Sequence, residues 1–126
     1  MPPRLLLAVI ATFGLSGVVL GAFAAHGLAE QLSATRLGQW QTAVSYQFVH
    51  TLALALLYVV PASPSQKRCA ALCWVVGVLL FSGSLYLLVL LDQSRLGMVT
   101  PFGGLAFIAG WATLIYAALR GQNSEQ

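Results

Sequence analysis

Charge is what this chain has least of. Six of its 126 residues are basic and three acidic, 7% in all, against about a quarter in soluble globular domains. So few charges cannot solvate the surface of a soluble domain, which excludes that class. The acidic residues Glu30, Asp92 and Glu125 all lie outside the centres of the apolar runs. This argues against small multidrug exporters and other proton-coupled carriers, which need a carboxylate within the membrane. The few basic residues cannot make the stripe that nucleic acid requires, so no nucleic-acid partner is expected. Cysteine is limited to Cys69 and Cys73. Four apart on one cytoplasmic helix end, they do not reach disulfide geometry and read as small packing residues. There is no Ser/His/Asp order, phosphate-cradling glycine loop or carboxylate pair, and no catalytic residue is assigned.

What remains is apolar. Hydrophobic residues make up 59% of the chain and the mean hydropathy is +0.84. Four runs, 5–25, 43–60, 70–91 and 99–119, each fit one crossing at about 1.5 Å per residue. None alternates as the strands of a membrane barrel would. The reading is an all-α integral membrane protein, a four-transmembrane-helix bundle forming a single membrane domain over 1–126. The segment 28–42, with Leu28, Leu32, Leu37 and Trp40 at roughly helical spacing, is expected as a short amphipathic helix on the membrane surface between helices one and two. Ser33 or Thr35 would cap its second half. Trp40, Trp74 and Trp111 read as interface anchors or lipid-facing bulk.

Four basic residues, Arg4, Lys67, Arg68 and Arg120, fall on the side shared by both termini, and two, Arg36 and Arg95, on the other. Positive charge is retained inside, so both termini are expected in the cytoplasm of a multi-pass bacterial inner (plasma) membrane protein. Ala22-Phe23-Ala24 resembles a signal-peptidase site. The apolar stretch before it exceeds a typical signal core, and helix one is expected to be retained.

Small residues are periodic. Gly14, Gly17 and Gly21 stripe helix one, Gly103 and Gly110 stripe helix four, and Gly77 lies on helix three. Such stripes let membrane helices approach closely. A stripe left over would fit a partner helix or a second copy, alongside membrane lipid as the general partner. Polar residues concentrate towards one level: His26, Tyr46, Gln47, His50, Ser82, Ser84, Tyr86 and Thr100. Taking helix two from 43, this level is the outer end of the bundle. Two readings stand side by side: a hydrogen-bonded clasp that fixes helix register, or the lining of a ligand-binding pocket around His50. Imidazole also binds metal or haem iron, with Asp92 near enough in topology to assist, but His26 and His50 show no fixed ligand spacing. No cofactor is assigned.

The strings GAFAAHGL at 21–28, WQTAVSYQFVH at 40–50, FSGSLYLL at 81–88 and GMVTPFGGLAFIAGW at 97–111 together resemble the domain of unknown function 423 (UPF0382, YgdD-like) family of small inner-membrane proteins. Where family members more often show Gly-Ala-His-Gly, this chain has Ala24-Ala25-His26-Gly27. The resemblance implies four membrane helices with helix one kept. It marks His26, Gly27, Trp40, Tyr46, Gln47, His50, Ser82, Gly83, Ser84, Tyr86, Thr100, Pro101, Gly103 and Gly104 as motif positions, and it implies no activity. The function expected is a non-catalytic accessory or binding subunit. The alternatives are a ligand- or metal-binding protein or small transporter using the His50 pocket, and a membrane enzyme acting on a lipid or quinone.

Overall fold

The computed structural model describes residues 2–125, with side chains described through 121. Met1 and Gln126 of the expected domain, and the Glu125 side chain, lie outside the described residues. Among the described residues every regular element is helical. Helix α1 (Pro3–Phe23) runs into a π-helical turn (Ala24–Leu28), and α2 spans Ala34–Leu56. Helix α3 (Pro64–Gly77), a second π-helical turn (Val78–Ser82) and α4 (Gly83–Leu91) form one continuous rod. A 3-10 turn (Ser94–Met98) then leads into α5 (Thr100–Glu125). Three rods, Pro3–Leu28, Pro64–Leu91 and Ser94–Gly121, are long and apolar enough to cross a membrane.

The starts of the helices follow from local chemistry. Pro3 sits at the first position of α1, where its missing N–H is no loss. Ser33 caps α2, its hydroxyl accepting the Arg36 N–H at 3.2 Å. Ser63 and Gln66 form a reciprocal capping box at the start of α3, immediately before Pro64, so that orphan backbone donors are satisfied.

The amphipathic helix expected over 28–42 is not a separate element. Residues 29–33 form the turn, and α2 opens at Ala34 and continues unbroken to Leu56. The reason is a single buried face. Trp40, Ala43, Gln47, His50, Thr51 and Leu54 recur at three- and four-residue steps, so the segment is drawn into the bundle instead of lying flat.

This earlier start relocates the polar residues. Tyr46 stands twelve residues below Ala34, about 18 Å, and ten above Leu56, about 15 Å. The polar cluster placed at the outer end by a helix starting at 43 therefore centres on the middle of the bundle. Two apolar clusters flank it. Ala24, Leu28, Trp40, Ala43, Leu85, Leu88 and Val89 fill one half, and Leu6, Ala53, Leu54, Leu57, Ala70, Ala71, Trp74, Val78 and Phe107 fill the other. The two ends are pinned. Arg36 pairs with Asp92 at 2.9 Å and donates to Ser94 Oγ at 3.1 Å, while at the far end Tyr58 donates to the Pro3 carbonyl at 2.7 Å.

Candidate functional site

The middle layer is built on Gln47. Its amide nitrogen donates to the Phe13 carbonyl at 2.8 Å and to Ser16 Oγ at 2.9 Å, and its Oε1 accepts from the Tyr86 hydroxyl at 2.7 Å. One side chain thus ties α1, α2 and α4 together. Ser82, fully buried, donates to the Ala43 carbonyl at 2.7 Å. It can do so because it closes the π-helical turn, whose extra residue turns its hydroxyl onto α2. Ser84 donates to the Phe81 carbonyl at 3.0 Å. Its single proton being used there, Thr100 supplies the donor of the 2.6 Å bond between the two hydroxyls. These contacts match what a hydrocarbon environment demands, where an unpaired polar group costs several kcal/mol, about the value of the lost bond.

His50 belongs to a second, aromatic group. Its Nδ1 lies 2.8 Å from the Tyr46 carbonyl, and the Trp111 indole N–H reaches its Nε2 at 3.0 Å. A carbonyl only accepts and an indole only donates, so His50 is neutral with its proton on Nδ1. Both ring nitrogens are engaged. Its ring lies parallel to Phe107, with centroids 3.6 Å apart and planes 9° apart. Beside this stack runs a groove of about 500 Å³ between α2 and α5, lined by Tyr46, Val49, His50, Phe81, Gly104, Phe107, Ile108 and Trp111. The Tyr46 ring, 44% exposed, packs 4.5 Å from Phe81. Its hydroxyl has no hydrogen-bond partner among the described residues.

The remaining sequence candidates lie elsewhere. His26 is exposed on the first π-helical turn and joins neither group. Asp92 is held by Arg36, which also reaches its Oδ1 through Nε at 3.1 Å, so it is no companion to His50. Among the described residues no three His, Cys, Asp or Glu side chains are grouped closely enough to hold a metal. A metal on His50 Nε2 would also have to displace the Trp111 N–H.

Gly14, Gly17, Gly21, Gly77, Gly103 and Gly110 face other helices of this same chain. A Cβ on Gly17 would meet the Phe48 ring at 3.0 Å, one on Gly21 would meet Val44 at 3.4 Å, and one on Gly14 would meet Thr51 at 4.0 Å. On the other side of the bundle, Gly77 faces the Phe107 ring, Gly103 the Phe81 backbone and Gly110 the Trp74 indole, all too close for a side chain. Two of the tryptophans also differ from expectation. Trp40 and Trp74 are fully buried, their N–H groups donating to the Leu20 carbonyl at 2.9 Å and the Phe107 carbonyl at 3.3 Å. The missing side chain of Gly110 leaves room for the Trp74 indole, and Trp40 packs edge-on against Tyr86 with ring centroids 4.8 Å apart.

Phe81 and Phe107 carry no assignment from the sequence, and Trp111, expected as an interface anchor or lipid-facing bulk, instead lines the groove and donates to His50. A signal was present: Phe107 and Trp111 are four apart, the same spacing that puts Tyr46 and His50 on one face. Ser16 and Arg36, which complete the middle layer and the ion pair at one end of the bundle, carried no comparable signal.

The model of the family described as "Protein of unknown function (DUF423)" matches residues 20–104. A UPF0382 membrane protein of Haemophilus influenzae is 39% identical, covering 93% of this chain and 95% of its own length. The UPF0382 membrane protein SH2409 of Staphylococcus haemolyticus is 44% identical over 79% of this chain and 83% of its own. The UPF0382 inner membrane protein YgdD of Escherichia coli K12 is 39% identical over 95% and 93%. No solved structure matches. With a family match over most of the chain and full-length relatives at these identities, the chain belongs to the DUF423 (UPF0382) family of membrane proteins.

Proposed function

We propose that this protein is a non-catalytic binding subunit of the bacterial inner membrane that holds a membrane-soluble molecule in the groove beside His50. The observation that carries this reading is the groove itself, an aromatic-walled recess opening sideways between α2 and α5 at mid-height. The polar layer around Gln47 is the clasp that holds its walls. Both nitrogens of His50 are engaged and Asp92 is paired, which leaves the Tyr46 hydroxyl as the one polar side-chain group lining the groove without a partner among the described residues; a lone phenol among aromatic rings favours binding as the role.

The reading includes a fourth crossing by α2. At 23 residues it is about 34 Å long, enough for a hydrocarbon core of about 30 Å. Its polar residues Gln47, His50 and Thr51 are 3%, 3% and 4% exposed, so lipid would not meet them. Four crossings put both termini on one side, and the basic residues favour the cytoplasm.

The test uses Gly104, where an added side chain enters open space. Protein purified with native lipid is analysed by native mass spectrometry beside Gly104→Leu and the control Gly38→Leu, another glycine with open space around it. The proposal expects a bound mass in the wild type and the control that is lost in Gly104→Leu. Equal bound mass in all three refutes the groove as the site.

A further inference from the structure

Resting on that reading, we infer that the occupant of the groove is a planar carbonyl compound soluble in hydrocarbon, the chemistry of a membrane quinone. Three observations converge on it. The first is depth. Tyr46 lies ten residues from the Arg36–Asp92 ion pair that marks one end of the bundle, about 15 Å along α2, which is the middle of a hydrocarbon core about 30 Å thick. Phospholipid ester oxygens sit at the edges of that core, so a polar atom meeting Tyr46 must belong to a molecule that dissolves within it.

The second is hydrogen-bonding capacity. The Trp111 N–H is taken by His50 and the His50 N–H by the Tyr46 carbonyl. The Tyr46 hydroxyl is the one donor lining the groove that has no partner among the described residues. In hydrocarbon such a group seeks an acceptor. The third is wall chemistry. Tyr46, Phe81, Phe107 and Trp111 present ring faces and edges, which favour a flat ring over a flexible acyl chain. An acyl chain supplies no acceptor at this depth, and a quinone supplies both ring and carbonyl.

The experiment titrates decylubiquinone into the protein reconstituted in phospholipid nanodiscs and reads tryptophan quenching, with dodecylbenzene as a competitor that has the ring but no carbonyl. The inference expects saturable quenching that dodecylbenzene displaces poorly. Tyr46→Phe should weaken binding about three- to tenfold, the loss of one hydrogen bond. Gly104→Leu, or Ile108→Trp should the first fail to fold, should abolish saturation, with helicity checked by circular dichroism. Saturable binding that is indifferent to Tyr46→Phe and displaced equally by dodecylbenzene overturns the carbonyl inference and leaves a groove for apolar molecules. Quenching that never saturates, and is the same in folded wild type and groove variants, overturns the inference and the groove reading together.

Discussion

Gln47 shows how one residue can set the register of three helices. It donates to Phe13 and Ser16 and accepts from Tyr86. Gln47→Leu keeps the bulk but strands the Tyr86 hydroxyl in the bundle, an expected loss of about 2–3 kcal/mol. Tyr86→Phe should cost about 1 kcal/mol. The double variant should cost less than the sum, because the stranded hydroxyl is gone. Thermal unfolding in detergent micelles measures all three, and strict additivity would deny the coupling. His50→Ala, by contrast, is expected to destabilise the fold, since His50 is 3% exposed and stacked on Phe107; the groove is better probed through Tyr46 and Gly104. At this scale the sequence revealed spacing but not partnership. That Tyr46 and His50 share a face follows from a four-residue step. That Gln47 would meet Tyr86, and Trp111 would meet His50, depends on the vertical register of neighbouring helices, which no local pattern carries.

Among the helices, the decisive contacts are those where glycine admits a neighbour. Gly103 lies against the Phe81 backbone at the π-helical turn and Gly110 against the Trp74 indole. Gly103→Ala or Gly110→Ala should therefore destabilise by about 1–3 kcal/mol, the range for overpacking. Gly38→Ala and Gly83→Ala meet open space and should stabilise by about 0.5–1 kcal/mol, because alanine gains helix propensity without a clash. The same unfolding assay compares the four, and a uniform response would show that close approach plays no part. The apolar rods were legible because their runs are long and uninterrupted. The start of α2 was not, because its first turns carry Thr35, Arg36, Gln39 and Gln41 and resemble a surface segment until the continuous buried face from Trp40 to Leu54 is seen. That one boundary moved the polar cluster from the end of the bundle to its middle.

In the whole molecule, two pinned ends, two apolar halves and a polar layer between them frame a lateral groove. The orientation it adopts is directly testable. In a variant lacking Cys69 and Cys73, the exposed Gln93 changed to cysteine should be labelled by a membrane-impermeant maleimide added outside spheroplasts; labelling only after lysis would reverse the topology. The central claim, an aromatic groove open to lipid at mid-depth, is tested most directly by tryptophan quenching with phospholipids brominated at successive positions along the acyl chain. Trp40 and Trp74 are fully buried and Trp111 is 39% exposed, so the signal reports on Trp111, and a Trp111→Phe sample supplies the blank. A groove at mid-depth predicts strongest quenching by bromines near the bilayer centre, reduced when Gly104→Leu fills the groove. Strongest quenching by bromines next to the headgroups, or none above the Trp111→Phe blank, would contradict it.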